Sequence, residues 1–226
     1  MVLRSEIIEA SKVYYREKFP QQKFVPGTTY IPPSGKVLDS DDCANLIDAS
    51  LDMWLTAGRF AAEFELTLAK KFGKKLSKLT VSGSAANLLA FSTLTSWKLG
   101  DERLKPGDEV ITVAAGFPTT VSPIIQNGCI PVFVDVDVAT HNVDVVAVRN
   151  AVTPKTKAIM LAHSLGNPFD VIAIKKICEE NNLYLIEDCC DAFGATVQMV
   201  DGTKKAVGTF GELATLSFYP AHHITM

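Results

Sequence analysis

The stretch "KAIMLAHSLGNPFDVIAIKKICEENNLYLIED" (157–188) decides the fold. It begins with a short apolar run, continues with a segment whose apolar residues recur at helical spacing, and ends with a second short apolar run. Two apolar strands joined by a helix form the repeating unit of a parallel sheet, because parallel neighbours need a long crossover connection. The stretch therefore predicts one strand–helix–strand unit.

The same alternation continues on both sides of this unit. Strands are predicted in "KLTVSG" (78–83), "DEVITVA" (108–114), "IPVFVDV" (130–136) and "LATLSF" (213–218). Helices are predicted in "SAANLLAFSTLTSWK" (84–98), "PTTVSPIIQNG" (118–128, a broken helix) and "NVDVVAVRNAV" (142–152). Because the strands are continuous apolar runs, both faces of their sheet should be covered. The chain is thus predicted to be an α/β protein with a mostly parallel sheet and helices on both faces.

The N-terminal part differs from this alternation. The first 38 residues are predicted to be an arm, with a charged helical segment and then a loop rich in proline and glycine. One helix should begin at Asp39 or Ser40, and a second should run from about Phe60 to Phe72. The first of these helices carries an apolar stripe made of Cys43, Leu46, Ile47, Leu51, Trp54 and Leu55.

Composition and charge exclude several classes of protein. The net charge is −3, so nothing global points to nucleic acid or an anionic membrane as a partner. No run of about 18 apolar residues occurs, and the N-terminus lacks the apolar core of a signal peptide, so we expect a cytoplasmic protein. The five cysteines are odd in number and lack C-x-x-C spacing, so no disulfide framework is expected. Cys189 and Cys190 are adjacent and would point opposite ways on a strand, so we do not expect both to ligate one metal.

Ligands of open α/β sheets lie beyond the carboxyl ends of the strands, where this chain carries unusual segments. In "VSGSAAN" (81–87), small residues open a helix, which suits either a phosphate cup or a plain capped helix packed on the sheet. In "AAGFPTT" (114–120), Phe117 could stack on a planar ligand or pack in the core. His163 ends another strand and is either structural or catalytic.

The segment "LIEDCCDAFGA" (185–195) places Glu187, Asp188 and Asp191 at the end of a buried strand. Buried carboxylates are costly without partners. An aspartate facing a protonated heteroaromatic nitrogen would solve this, and so would a metal, although no histidine is near at ligand spacing. Capping of a following helix is the remaining alternative.

These segments together resemble the DegT/DnrJ/EryC/StrS sugar aminotransferase family, which has the aspartate-aminotransferase-like fold of pyridoxal-phosphate enzymes. The matching stretches are "GRFAAEFE" (58–65), "SGSAANLLA" (82–90), "PGDEVITVAAGFPTT" (106–120), "PVFVDVD" (131–137), "LGNP" (165–168), "IEDCCDAFGA" (186–195) and "GTFGELATLSFYPAHHITM" (208–226). The resemblance implies that residues 1–75 form the arm and helices. It implies that residues 76–226 form a large domain that is truncated at its C-terminal end.

The resemblance also implies the cofactor contacts. Ser84 and Ala85 would hold the phosphate, and Ser217 would add a hydroxyl. Phe117 would lie on the pyridine ring, and Asp188 would face the ring nitrogen.

Three further positions are carried over from the family. Asp191 is expected to contact the cofactor, and Tyr219 and His163 are expected to contact the substrate. Asp191 and Tyr219 stand where many aminotransferase relatives carry other polar residues, which suits a dehydrase.

The family pattern Ser-Phe-x-x-x-Lys here ends in a histidine, His222. A histidine cannot make the covalent bond that the lysine makes with the cofactor, so the pyridoxamine phosphate form becomes the useful one. Its ordinary pKa of about 6.5 still suits moving a proton. The resemblance therefore implies C3 dehydration of a nucleotide-linked 4-keto-6-deoxy sugar, CDP-4-keto-6-deoxyglucose, with His222 as the base. A GDP-4-keto-6-deoxymannose 3-dehydratase without an iron–sulfur cluster and a non-catalytic relative are the alternatives.

The resemblance implies partners that lie outside this sequence. A [2Fe–2S] cluster is expected downstream of His222, together with a flavin- and iron–sulfur-containing, NADH-dependent reductase. A homodimer is expected, and this half of the protein is expected to be inactive alone.

Overall fold

A computed structural model describes residues 2–21, 23–32, 34–222 and 224. The chain divides into two compact units. The N-terminal unit comprises Met1–Lys71, Lys75–Leu79 and Phe218–Met226, and the sheet unit comprises Phe72–Lys74 and Thr80–Ser217.

The N-terminal unit is helical. Its helices are α1 (Arg4–Lys18), α2 (Ser40–Ser50) and α3 (Arg59–Lys71), and Pro220–His222 adds a 3₁₀ turn. Asp39 starts α2 because its side chain accepts the amide hydrogens of Asp41 and Asp42. The helical segment predicted near the N-terminus and the helix predicted to begin at Asp39 or Ser40 are therefore confirmed, whereas the arm itself stays a prediction.

The sheet unit contains the remaining elements. Its helices are α4 (Gly83–Thr93), α5 (Pro118–Gln126), α6 (Val145–Ala151) and α7 (Val171–Asn181). Its strands are β1 (Glu109–Val113), β2 (Ile130–Val134), β3 (Thr156–Ala162), β4 (Tyr184–Asp188), β5 (Thr196–Gln198), β6 (Lys204–Ala206) and β7 (Leu213–Thr215). Five of them form a parallel sheet in the order β2-β1-β3-β4-β7, which confirms the predicted fold class.

Successive residues of each strand enter different cores. Ile159 and Leu161 of β3 pack with Ile174 of α7, whereas Met160 packs with Phe91 of α4. Because side chains alternate across a strand, α6 and α7 cover one face of the sheet and α4 and α5 cover the other. This alternation also decides where the polar residues at the end of β4 point.

Several predicted elements differ from the structure. Residues 78–83 pair with no strand in the described chain, and Val81 is 98% exposed, so the predicted strand there is wrong. Helix α2 ends at Ser50, which leaves Trp54 and Leu55 of the expected stripe exposed beyond it. Helix α5 continues through Pro123 instead of breaking.

The hairpin of β5 and β6 was not predicted, because Lys204 and Lys205 gave that segment a polar, loop-like sequence. None of the helices in the described residues combines the length and the apolarity needed to cross a bilayer. All five cysteines, each within the described residues, are free thiols, as expected.

Candidate active site

Asp188 is the last residue of β4 and points to the face covered by α4 and α5. It is 4% exposed. Its Oδ2 atom accepts hydrogen bonds from Asn87 Nδ2 at 2.8 Å and from Thr120 Oγ1 at 2.7 Å. Its Oδ1 atom accepts the Cys190 amide hydrogen at 3.2 Å. Residues 189–192 form a turn, so Asp188 does not cap a following helix.

The first turn of α4 lies against Ser217. Ser82 caps this helix, and its hydroxyl accepts the Ala85 amide hydrogen at 3.1 Å. A side chain on Gly83 would place its Cβ atom 2.6 Å from Ser217 Cβ, so glycine is what allows this close approach. Ser84 is exposed at the same helix start, where the helix dipole favours an anion.

Phe117 follows β1 and precedes α5. Its side chain is 67% exposed, so the alternative in which it packs in the core is wrong. An exposed aromatic ring at the carboxyl edge of a sheet is free to meet a planar ligand. Its stacking role stays a prediction.

Glu187 precedes Asp188 and therefore points to the opposite face of the sheet. Its carboxylate accepts amide hydrogens from Gly208 at 2.7 Å, Phe210 at 2.8 Å and Gly211 at 2.6 Å. Its Oε2 atom also lies 3.2 Å from His163 Nε2. Burial alone would raise the pKa of Glu187, but the bonds from His163, Gly211 and Gly208 together lower it.

No histidine lies near these carboxylates in sequence, but the fold brings His163 next to Glu187, so the expectation of no nearby histidine is wrong. His163, Glu187 and Cys189 bring their donor atoms within 4.8 Å of one another, all of them buried. Because both Glu187 oxygens already accept hydrogen bonds, a metal there would have to displace them. The prediction that this chain holds no metal is untested.

His163 is fully buried beside Glu187. Its ring stacks on Phe169 with a centroid distance of 4.2 Å. This environment favours the structural role, and a substrate contact from His163 would require this burial to be broken. The Cys189 and Cys190 thiols are also unreactive in character, because burial and then the neighbouring carboxylates raise the pKa of each.

The remaining predicted site residues are more exposed. Asp191 is exposed, and its backbone oxygen packs against Gly166. Tyr219 and His222 belong to the N-terminal unit, where their rings meet edge to face at 6.4 Å. Tyr219 is exposed and His222 is half-buried. The neighbouring His223 lies outside the described residues.

Sequence reasoning missed the residues that hold Asp188. Asn87 and Thr120 reach it from α4 and α5, and Thr215 Oγ1 donates to Asn87 Oδ1 at 2.6 Å. One signal was visible in the sequence: an asparagine interrupts the apolar run "ANLLAF" of a helix that packs on the sheet.

Comparison with known proteins identifies the family. The profile described as the DegT/DnrJ/EryC1/StrS aminotransferase family matches residues 37–226. The chain belongs to this family. The sequence-based assignment to it is therefore confirmed.

Among the relatives of this family member are two bacterial proteins. The lipopolysaccharide biosynthesis protein RfbH of Salmonella typhimurium is 54% identical over 99% of this chain and 50% of its own length. A dTDP-4-dehydro-2,6-dideoxy-D-glucose 3-dehydratase of Saccharopolyspora spinosa is 51% identical over 98% of this chain and 47% of its own. The chain thus spans about half the length of the curated relatives it matches.

A solved structure supports the fold. The E. coli GDP-4-keto-6-deoxy-D-mannose-3-dehydratase with bound hydrated PLP has a TM-score of 0.76 and 36% identity. The match covers 86% of this chain and 48% of that structure. The predicted aminotransferase-like fold is confirmed.

Proposed function

We propose that the full-length protein uses pyridoxamine or pyridoxal phosphate to remove the C3 hydroxyl of a nucleotide-linked 4-keto-6-deoxy sugar. The observation that carries this proposal is the 51% identity, over 98% of the chain, to a relative named as a sugar 3-dehydratase. The 36% identity to a GDP-sugar 3-dehydratase structure that contains PLP agrees with it.

The residues of the sheet unit fit this cofactor. The start of α4 offers the exposed Ser84 and small neighbours for a phosphate, and Gly83 keeps that turn close to the Ser217 side chain. Asp188 offers a buried carboxylate whose contacts are neutral hydrogen-bond donors. When bound, the cofactor would supply an electron-accepting ring beside the methylene carbon from which a proton is removed.

The protein's own residues would then divide the work. Asp188 would hold the proton on the ring nitrogen, and Phe117 would cover the ring. His222, which stands at the lysine position of the family pattern, would take a proton from the cofactor's methylene carbon instead of bonding to the cofactor. Ala85 and Ser217 would share the phosphate, Asp191 would contact the cofactor and Tyr219 would contact the substrate. His163, which is buried against Glu187 and Phe169, would support the sheet edge instead of contacting the substrate.

The finer parts of the proposal concern the substrate. We favour CDP-4-keto-6-deoxyglucose on the route to the 3,6-dideoxyhexoses of lipopolysaccharide O-antigen, since the RfbH relative is named for lipopolysaccharide biosynthesis. The GDP sugar remains the second candidate, because the solved relative is named for that substrate.

The finer parts that concern the rest of the protein are predictions as well. They are the boundary between residues 1–75 and 76–226, a [2Fe–2S] cluster downstream, a flavin and iron–sulfur reductase, a homodimer and a cytoplasmic location. The residues that follow 226 would test the cluster directly, since a closely spaced group of cysteines there supports the CDP type.

The decisive experiment follows hydrogen exchange between solvent and the cofactor methylene. The full-length protein is mixed with pyridoxamine phosphate and with CDP-4-keto-6-deoxyglucose or GDP-4-keto-6-deoxymannose. Exchange should occur in the wild type with one of the two sugars, and His222→Asn should reduce it by about 100-fold or more. Absence of exchange in the wild type would favour the non-catalytic alternative.

His141→Asn is the matched control. His141 is exposed and has a positive φ of 57°, which asparagine tolerates. Exchange should therefore be unchanged in His141→Asn. Exchange that persists at the wild-type rate in His222→Asn would remove His222 from the reaction.

A further inference from the structure

We propose that Asn87 is a positioning residue that orients the Asp188 carboxylate toward the ring nitrogen of the cofactor. The inference rests on the proposed function, because it concerns the same site. It adds a residue that acts through Asp188 and a second residue, Thr215, that acts through Asn87.

The first step is that the two carboxylate oxygens of Asp188 accept hydrogen bonds from different donors. Asn87, which is 1% exposed, and Thr120, which is 3% exposed, both donate to Oδ2. A carboxylate oxygen accepts about two hydrogen bonds, so Oδ2 is filled. Oδ1 accepts the Cys190 amide hydrogen at the longer distance of 3.2 Å. Oδ1 is therefore the oxygen that can accept a ring N–H.

The second step is the orientation of the Asn87 amide. Thr215 Oγ1 donates to Asn87 Oδ1 at 2.6 Å, which leaves Nδ2 to face Asp188. A flipped amide would place its oxygen 2.8 Å from Oδ2, so that two acceptors would meet. Thr215 is the register partner of Asp188 on the adjacent strand β7, so the sheet itself fixes the geometry of this chain of bonds.

The third step is charge. The side chains and the amide that bond to Asp188 are all neutral, and no ion pair in the described part of the chain involves it. A lysine or arginine at position 87 would compete with a cationic ring nitrogen for the same carboxylate. The asparagine orients the carboxylate and leaves its charge for the ligand.

The test uses the full-length protein loaded with pyridoxal phosphate that carries nitrogen-15 at the ring nitrogen. The nitrogen chemical shift reports ring protonation across a pH titration, and dialysis reports the cofactor Kd. In Asn87→Leu, which is similar in shape, the pH of half-protonation should fall by about one unit and the Kd should rise about tenfold. Thr215→Val should shift the titration in the same direction, and Thr215→Ser should shift it less because it keeps a hydroxyl.

Asn127→Leu is the matched control. It removes a half-buried amide that bonds to Ser92 and Pro123 and has no bond to Asp188. If Asn87→Leu fails to fold, as judged by circular dichroism, Thr215→Val carries the test, since it removes the donor that orients the Asn87 amide.

The outcomes separate the two proposals. A normal titration in Asn87→Leu and Thr215→Val, beside a displaced one in Asp188→Asn, overturns the positioning role and leaves the proposed function in place. Both proposals are overturned if the wild-type protein binds no cofactor. They are also overturned if Asp188→Asn leaves the pH of half-protonation of the ring nitrogen unchanged.

Discussion

Gly83 leaves no room for a side chain beside Ser217. The Cβ atom of an alanine there would lie 2.6 Å from Ser217 Cβ and 2.8 Å from Ser217 Oγ. The first contact is with an atom bonded directly to the backbone, so rotating the Ser217 side chain cannot relieve it. The start of α4 and the segment after β7 would have to move apart.

We therefore predict that Gly83→Ala destabilises the full-length protein by about 1–3 kcal/mol and weakens cofactor binding. Chemical denaturation and dialysis with pyridoxal phosphate measure the two effects. Adding Ser217→Gly should restore most of the stability without restoring cofactor binding, because it removes the clash and the hydroxyl together.

Gly35→Ala is the control for this pair of variants. An added Cβ atom there meets no heavy atom within 4 Å. Its stability and cofactor affinity should match the wild type. A Gly83→Ala protein as stable as Gly35→Ala would contradict the close approach of Ser217.

Two glutamates hold β7 beside β4, although the ladder between these strands has only three residue pairs. Glu187 of β4 accepts three amide hydrogens from residues 208–211, just before β7. Glu212, which immediately precedes β7, accepts the Leu185 amide hydrogen of β4 at 2.7 Å. The hydrogen bonds of these two side chains therefore add to the few backbone hydrogen bonds that join β4 and β7.

Glu187→Gln should destabilise the sheet unit by about 2–3 kcal/mol. A glutamine would turn its own N–H groups toward some of the amide donors and leave them unpaired in a buried place. Urea denaturation of the full-length protein measures the loss. Glu180→Gln, which removes an exposed partner of Arg149, is the control and should change stability little.

The pH dependence of the free energy of unfolding should show the contribution of the Glu187 carboxylate. The pKa of Glu187 is lower in the folded protein than its ordinary value of 4.5, so protonation costs more in the folded than in the unfolded state. Its contribution is therefore complete above pH 4.5 and is lost as the pH falls through the folded pKa. The stability gap between wild type and Glu187→Gln should narrow below pH 4.5. A gap that is constant from pH 7 to pH 3 would contradict this.

The strands of the central sheet were predictable because apolar residues alone determine them. The runs around Ile159 and Leu185 are buried on both faces, and such runs have few other stable arrangements. The segment at 78–83 has only Leu79 and Val81 as large apolar residues and has no neighbouring strand in the described chain, and pairing cannot be read from one segment. Pairing decides whether an apolar run becomes a strand.

In the candidate site, too, the sequence of one segment predicted a residue but not the distant residues that contact it. Asp188 could be found because it ends a predicted strand. Its partners could not, since Asn87 and Thr120 lie 101 and 68 residues away in sequence. Only the packing of α4 and α5 on the same face of the sheet brings these side chains together.

At the scale of the whole molecule, the two units are stabilised by different forces. The sheet unit has large apolar cores on both faces of its sheet. In the N-terminal unit, only Ala44 and Ala69 of the described helical residues are buried. Charged contacts are correspondingly more important there.

Helices α1, α2 and α3 are linked by alternating charges. Arg4 binds Asp48 at 2.7 Å and Asp52 at 2.5 Å, and Arg59 binds the same two aspartates. Hydrogen bonds from the two arginines lower the pKa of both aspartates. The bond from Arg59 has the largest effect on Asp48, and the bond from Arg4 has the largest effect on Asp52. All four side chains are partly exposed, so salt should screen this cluster.

We predict that raising the ionic strength increases amide hydrogen exchange in α1 and leaves the strands β1, β3 and β4 protected. Asp48→Asn combined with Asp52→Asn should produce the same loss of protection at low salt and should abolish its salt dependence, because the charges that salt screens are then absent. Lys176→Gln removes an exposed ion pair with Glu180 in the sheet unit and serves as the control. Hydrogen exchange read by mass spectrometry on the full-length protein resolves the two units. Equal salt sensitivity in α1 and in the sheet strands would show that charge does not distinguish the units, whereas a response confined to α1 ties the docking of this helix to Asp48 and Asp52.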